Sequence, residues 1–259
     1  MKIRDIVDAL ERFAPLPLQE EYDNSGLQVG LTETEVSGVF LCLDVSCAAI
    51  REAVSRGCNM IVSHHPLLFH PLKRVDDSSE AGRCVIEAVR NGVAIYSAHT
   101  NLDNVMGGVN FMIASKLGLK NVGWLVKTGD NSGSGVLGDL PSEMCEGEFL
   151  ILLKRAFAID CIRCNQLYSK TISRIALCGG AGAFLIPKAI EAGADAFVTG
   201  EIGYHHFSDY CGNMLLVEMG HFESEQYTVD LLGSIIGNEF PGLKLETADG
   251  RNSNPIRYV

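Results

Sequence analysis

Short apolar runs alternate with helical stretches along most of the chain. The runs have five to seven residues and lie between polar or glycine-containing segments, as buried strands do. Apolar residues recur at helical spacing from Met1 to Phe13, near Val109 to Leu117 and near Gln226 to Ile236. The pattern therefore predicts helices alternating with strands. The predicted strands are Val39–Asp44, Asn59–Ser63, Val93–Ser97, Arg174–Gly180, Asp195–Thr199 and Met214–Glu218.

The order strand, helix, strand occurs twice, with a separation of 136 residues. Without a gap, this offset aligns Cys42 with Cys178 and Gly57 with Gly193. Each copy continues into a further strand and then into a histidine that a carboxylate follows four residues later. These matches indicate an internal duplication.

The duplication predicts an α/β protein made of two related units. Strands separated by helices at this spacing form crossovers, which give mainly parallel sheets with helices on both faces. We place the units at residues 1–127 and 128–259, with the C-terminal segment packing back on the first. The segment from Thr128 to Gly147 is rich in Gly, Ser and Asp, and we interpret it as the connection. Because ligands of such sheets collect beyond the carboxyl ends of the strands, we expect a site in the cleft between the units.

Histidines and carboxylates collect at these predicted strand ends. His64 and His65 directly follow a strand, and Pro66 disfavours helical geometry at His65. Side chains alternate in an extended chain, so we expect the two histidines to reach different metal ions. Two ions would need one bridging carboxylate, for which we choose Glu225. The predicted ligands are His64, His65, Asp103, His221 and Glu225.

Imidazole and carboxylate ligands together favour zinc, iron, manganese, cobalt or nickel over calcium and magnesium. Five residues shared by two ions leave open positions for water, which a metal can make acidic enough to give hydroxide near neutral pH. We therefore expect two divalent ions per chain and hydrolytic chemistry. The alternative is that polar residues at the strand ends only cap the sheets.

The remaining histidines have more than one interpretation. His99 is either a ligand or a residue that orients Asp103 or the attacking water. His205 and His206 lie in the loop that corresponds to the His64-His65 loop, either as a proton-transfer group or on the surface. We take His99 and His205 as the candidate catalytic residues. His70 is interpreted as a solvated loop residue.

Two glycine-containing motifs are also ambiguous. The segment from Asp23 to Gly30 has the composition of a tight turn, although its polar side chains can also line the cleft. The segment from Cys178 to Ala183 can cradle phosphate with its backbone N–H groups. It lacks the dinucleotide spacing and the phosphate-loop lysine, so its glycines can equally serve close packing.

Charge and composition restrict the partners and the compartment. A formal net charge of −11 repels a phosphate backbone, so no nucleic-acid partner is expected. No segment approaches the roughly 20 apolar residues of a membrane span. The N-terminus lacks the apolar stretch of a secretory signal, and nine scattered cysteines indicate reduced thiols. We therefore expect a cytoplasmic protein.

Five motifs together resemble the GTP cyclohydrolase 1 type 2 homologue family, also called the NIF-three-like family. The resemblance implies two α/β domains with a dinuclear metal site in the cleft, assembled as a ring-shaped homohexamer, in the short bacterial form. The ligands that it implies are the five named above, without substitution. The family's Gly-Asp is Gly200-Glu201 here. The motifs are Asp23–Gly30, Ser63–Phe69, Ala98–Asp103, Cys178–Gly182 and Gly220–Glu225.

The family name implies a reaction in which water opens the imidazole ring of guanine and releases formate. Our first hypothesis is thus a metal-dependent hydrolase of GTP, another nucleotide or a cyclic amide. Arg and Lys do not cluster near the motifs, which makes a triphosphate hard to hold. The alternatives are a metal carrier or insertion factor, and a ring scaffold that metal stabilises without catalysis.

Overall fold

The chain forms two units, each with its own sheet, in a computed structural model that describes residues 1–168, 170–248 and 254–257. The first unit contains Met1–Leu102 and Tyr227–Arg257, and the second contains Asp103–Gln226. The helices are α1 (Ile3–Phe13), α2 (Cys47–Ser55), α3 (Glu80–Asn91), α4 (Thr100–Asp103), α5 (Val109–Lys116), α6 (Glu146–Phe157), α7 (Ile186–Glu191), α8 (Tyr204–Asp209), α9 (His221–Glu225) and α10 (Thr228–Glu239). The strands are β1 (Gly26–Val29), β2 (Val39–Cys42), β3 (Met60–Ser63), β4 (Ala94–Ser97), β5 (Lys120–Lys127), β6 (Gly133–Cys145), β7 (Arg163–Cys164), β8 (Thr171–Cys178), β9 (Ala196–Thr199), β10 (Leu215–Glu218) and β11 (Leu245–Thr247).

The first unit is built on a five-stranded sheet in the order β1-β4-β3-β2-β11. Strands β2, β3 and β4 pair in parallel, β11 is parallel to β2, and β1 is antiparallel to β4. Every residue of β2, β3 and β4 is buried. Continuous apolar runs of this kind are typical of parallel strands covered on both faces.

The second unit has a six-stranded mixed sheet in the order β5-β6-β8-β9-β10-β7. Strands β8, β9 and β10 are parallel, whereas β5, β6 and β7 pair antiparallel to their neighbours. All six strands predicted from apolar runs are present, and so are the three predicted helices. The prediction of an α/β protein with two units is thus confirmed.

The internal repeat extends to the register of the strands. In the first unit Val39 lies opposite Met60, and in the second Ile175 lies opposite Ala196. The same offset of 136 residues relates both members of these pairs. Both copies therefore pair their first two parallel strands identically.

The interpretation of Thr128 to Gly147 as a connection is wrong, because most of this segment is the strand β6. This strand lies between β5 and β8 in the sheet and buries Val136 and Leu140. Its glycines serve packing: a Cβ atom on Gly133 would lie 2.6 Å from the Trp124 ring. The prediction of a connection rested on the glycine-rich composition of the segment. This composition does not distinguish a loop from a crowded strand, because both favour small residues.

Local sequence fixes the first turns of two helices beside the first sheet. The Ser46 hydroxyl accepts a hydrogen bond from the Ala49 N–H at 3.1 Å and caps α2. The Ser79 hydroxyl does the same for α3 through the Gly82 N–H at 3.1 Å. Helix α3 then ends at Gly92, whose φ of 63° suits a residue without a side chain. Among the described residues, no helix is long and apolar enough to span a membrane.

A buried asparagine extends the second sheet beyond β7. The Asn165 amide donates to the Met214 carbonyl at 2.9 Å, and its side-chain oxygen accepts from the Leu216 N–H at 2.9 Å. Its backbone N–H also donates to the Leu216 carbonyl at 3.3 Å. One side chain thus satisfies two backbone groups next to β10.

We expect Asn165→Ala to lower the free energy of unfolding by about 2 kcal/mol, because it leaves two buried backbone groups without their partner. Chemical denaturation with circular dichroism measures this change. Asn213→Ala is the matched control, since that side chain is exposed, and should cost less than about 0.5 kcal/mol. Equal losses in the two variants would contradict the assignment.

Candidate functional site

Three histidines of the first unit lie just beyond the carboxyl ends of its parallel strands. His64 and His65 directly follow β3, and His99 follows β4 by two residues. The His65 N–H donates to the Leu43 carbonyl at 2.9 Å, which continues the strand pairing past the end of β3. The Ser63 hydroxyl donates to the His65 carbonyl at 2.9 Å. The backbone that carries both adjacent histidines is therefore fixed.

These three rings converge. The ring centroids lie 5.0 Å apart for His64 and His65, 5.3 Å for His64 and His99, and 5.7 Å for His65 and His99. One nitrogen from each ring lies within 4.8 Å of the others. The rings of His64 and His65 therefore do not point to opposite sides, as strict strand alternation would require.

The Nδ1 atoms of the adjacent pair are held by fixed acceptors. His64 is fully buried, and its Nδ1 donates to the Ala98 carbonyl at 2.8 Å. His65 Nδ1 donates to an Asp44 carboxylate oxygen at 2.7 Å. When Nδ1 carries the proton, Nε2 of the neutral ring carries the lone pair. This tautomer is the one that binds a metal ion through Nε2.

Asp23 fixes His99 in the same way. Its buried carboxylate accepts from His99 Nδ1 at 2.7 Å, from the Thr100 N–H at 3.0 Å and from the Thr100 hydroxyl. The Ser25 hydroxyl donates to it at 3.0 Å. Burial raises the pKa of such a carboxyl group, but the hydrogen bonds from His99 and Thr100 outweigh burial and hold the pKa of Asp23 well below its ordinary value. Asp23 is therefore an ionised acceptor at neutral pH.

The rest of the Asp23–Gly30 motif braces the loop after the histidine pair. The Asn24 amide donates to the Leu68 carbonyl at 2.8 Å, and Gln28 Oε1 accepts from the Leu68 N–H at 3.2 Å. Gln28 also donates to the Asn24 carbonyl at 2.7 Å. The motif is thus more than a turn, because its side chains hold both His99 and the segment next to His65.

The second unit places a histidine between two carboxylates. His221 begins α9, and its Nδ1 donates to Glu201 Oε1 at 2.7 Å. Its Nε2 lies 3.1 Å from Oε2 of Glu225, one turn later on the same helix. Glu225 is 3% exposed, whereas the His221 side chain is 32% exposed. A buried carboxylate beside an oriented imidazole places two groups able to bind a cation next to each other.

Gly180 makes room for this pair. Its φ is 58°, and a Cβ atom there would lie 2.3 Å from Glu225 Oε1 and 3.4 Å from His221 Nε2. Any larger residue would collide with the carboxylate. The glycine is therefore required by its conformation and by the closeness of Glu225.

The glycine-rich loop after β8 uses its N–H groups internally. Gly179 donates to Asn110 Oδ1 at 2.9 Å, Gly180 to the Ser224 hydroxyl at 3.0 Å, and Gly182 to the Thr199 hydroxyl at 2.9 Å. These donors already have side-chain acceptors. Of the two interpretations of the motif, close packing is favoured over a phosphate cradle.

Asp103 belongs to the second unit and ends α4. Its backbone carbonyl accepts from the Asn110 amide at 3.1 Å, and the Asn110 oxygen in turn accepts from Gly179. Asn110 thus links the end of α4 to the loop after β8. This linkage fixes the backbone of Asp103 relative to the loop that packs on Glu225.

His205 and His206 lie on α8, in the loop region after β9. His205 is exposed and contacts the Tyr204 ring, and His206 stacks on Tyr210 with centroids 6.4 Å apart. Within the part of the chain that the structure describes, neither belongs to a group of three side chains able to share an ion. A proton-transfer role for His205 stays a prediction.

The sequence analysis did not identify the carboxylates that orient the histidines. Asp44 follows β2 by two residues and Glu201 follows β9 by two. Asp23 precedes β1, the strand antiparallel to β4. The available signal for Asp44 and Glu201 was an acidic residue two positions after a parallel strand.

Comparisons with known proteins show which family the chain resembles. A model of the Duf34/NIF3 (NGG1p interacting factor 3) family matches residues 1–255. A GTP cyclohydrolase 1 type 2 homolog from Clostridium acetobutylicum is 34% identical, with 100% of this chain and 99% of that protein covered. A protein of the same name from Clostridium perfringens is 35% identical over 87% of each chain.

A solved structure shows the same fold. Staphylococcus aureus protein SA1388 superimposes with a TM-score of 0.90 at 26% identity, over 100% of this chain and 99% of that one. The motifs that suggested the family are those that carry the oriented histidines, the Asp23 brace and the Gly180 contact. The chain belongs to the Duf34/NIF3 family.

Proposed function

We propose that the chain is a hydrolase that depends on divalent metal ions bound by His64, His65, Asp103, His221 and Glu225. One observation carries this proposal: Nδ1 of each of four histidines donates to a fixed acceptor, and these are His64, His65, His99 and His221. Ligating histidines in metal sites almost always have such a partner, because it sets the tautomer and the ring direction. Histidines that only cap a sheet would not need it.

The surrounding charge also favours cations. The acceptors of His65, His99 and His221 are all carboxylates, and Glu225 adds a buried one. When bound, divalent ions supply Lewis acidity and an acidic water ligand. The chain's own contribution is to hold the imidazoles in one tautomer and to keep anionic oxygens beside them. His99, oriented by Asp23, is proposed as a further ligand or as a proton acceptor.

We propose two ions per chain, with Glu225 as the bridging ligand. Zinc, iron, manganese, cobalt and nickel all suit imidazole with carboxylate. The ring-shaped homohexamer also stays a prediction. Sedimentation velocity is the measurement that tests it.

The name of the relatives suggests a substrate. GTP cyclohydrolase 1 type 2 homologs are named after a reaction on GTP, and we propose ring opening of a nucleotide base or another cyclic amide for this chain. The acidic net charge of −11 favours a less anionic substrate than a triphosphate. The substrate screen should therefore include nucleosides and neutral cyclic amides.

We expect wild-type protein purified without added metal to contain close to two transition-metal ions per chain. His64→Ala and Glu225→Ala should each lose at least half of that content, because each removes a buried ligand. Elemental analysis by mass spectrometry measures it. His70→Ala is the control, since His70 is exposed, and should keep the wild-type content. Wild-type protein without metal, even after reconstitution, would contradict the proposal.

We expect Asp23→Asn to weaken metal binding by about 10- to 100-fold, because an amide does not accept the His99 and Thr100 hydrogen bonds as a carboxylate does. Competition with a chromophoric chelator measures the affinity. Asp8→Asn makes the same charge change on the exposed face of α1 and should have no effect. If the two variants bind equally, Asp23 does not position His99 for metal.

We expect the metal-loaded protein to hydrolyse at least one compound of the screen, with formate release as the assay for guanine ring opening. Activity should disappear on chelation, return with metal, and be absent from Glu225→Ala. Full metal content without turnover of any compound would contradict the proposal of a hydrolase. It would not contradict the proposed metal site. The carrier hypothesis would then predict transfer of the ions to a competing apo-protein.

A further inference from the structure

A second group of possible ligands lies between α2 and α3 of the first unit and shares no residue with the histidines. It consists of Cys47, Glu80 and Cys84, whose ligand atoms all lie within 4.8 Å of one another. The Cys47 and Cys84 sulfur atoms are 3.5 Å apart, and Cys84 Sγ lies 3.9 Å from Glu80 Oε1. We propose that these residues form a binding site for a thiophilic divalent cation of the zinc type.

The distances suit one tetrahedral ion. Two sulfurs bound to zinc at about 2.3 Å lie about 3.8 Å apart, and a sulfur and a carboxylate oxygen lie about 3.5 Å apart. The observed separations of 3.5 Å and 3.9 Å differ from these by only a few tenths of an ångström. For these two pairs, binding requires only small side-chain adjustments.

The helices present the three ligands to one point. Cys47 is the first residue of α2, directly after its cap Ser46. Glu80 and Cys84 are one turn apart on α3, so they lie on the same face of that helix. The caps described above fix the first turns from which Cys47 and Glu80 project.

Arg83 orients the carboxylate. Its guanidinium binds Glu80 Oε2 at 2.6 Å, while the other oxygen, Oε1, faces Cys84. This hydrogen bond lowers the pKa of Glu80. The carboxylate therefore stays ionised and keeps one oxygen directed at the sulfur.

The two thiols differ in how deeply they are buried and in their access to solvent. Cys84 is fully buried in the apolar core, and burial, with the Cys47 contact, raises its pKa to about 12. Cys47 is partly exposed and lines an open groove of about 870 Å³ together with Arg51, Glu80 and Arg83. An ion can enter through this groove. Two thiolates and one carboxylate leave a fourth position for water or an external ligand.

The test is a cobalt(II) titration of the full chain in a non-thiol reductant. Thiolate ligands give a ligand-to-metal charge-transfer band in the near ultraviolet, which imidazole and carboxylate ligands do not give. We expect this band in wild type and in His64→Ala, and its loss on adding zinc. Its presence in His64→Ala separates this site from the proposed hydrolytic one.

Cys47→Ser and Cys84→Ser should abolish the band, and Glu80→Ala should weaken cobalt binding by about tenfold. Cys58→Ser is the matched control, because Cys58 is also a buried thiol of the same core and should keep the band. If Cys84→Ser fails to fold, Cys47→Ser tests the proposal instead, because Cys47 is partly exposed. An absent band in wild type, or an unchanged band in Cys47→Ser, overturns the proposal. Oxidation of Cys47 and Cys84 to a disulfide by glutathione disulfide, without cobalt binding, would also overturn it in favour of a redox pair.

Discussion

Parallel pairing of three short strands determines which side chains become neighbours in each unit. In the first unit Cys42, Ser63 and Ser97 lie in one row across β2, β3 and β4, so all three strands end together. The second unit has the corresponding row across β8, β9 and β10. The residues that follow each row must emerge at one edge of the sheet, where their backbone no longer needs a strand partner. Residues distant in sequence, such as His64 and His99, become neighbours for this reason alone.

The orientation of the histidine rings has a different cause from their closeness. Strand ends bring the imidazoles together, but the carboxylates and one carbonyl decide which nitrogen each ring presents. Asp23 is the clearest case, since it arrives from a different part of the chain and is held by Thr100 and Ser25 as well. Such support is what separates a cluster of polar residues from a site prepared for a ligand.

The sequence predicted the α/β class, the repeat and the strands, because apolar runs and a gapless offset are properties of the chain itself. It failed at β6, where small residues adapt a strand to crowded neighbours such as Trp124. It also failed at the directions of His64 and His65, whose rings do not point to opposite sides. The roles of Asp44 and Glu201 were not predicted, because they depend on which strands are adjacent in the sheet. Neighbour relations of this kind are tertiary, so the position of an acidic residue after a strand does not by itself show which histidine it orients.

The first unit is discontinuous, and this has a consequence for synthesis on the ribosome. Its strand β2 pairs with β11, and Arg12 of α1 binds Glu239 of α10 at 2.6 Å, yet both partners follow the whole second unit. A nascent chain therefore carries an unpaired edge of the apolar strand β2 while residues 103–226 emerge. The second unit is continuous and can fold during that interval, whereas the first can close only after the C-terminal segment has been made. Until then, the exposed edge of β2 is a site at which the nascent chain can aggregate.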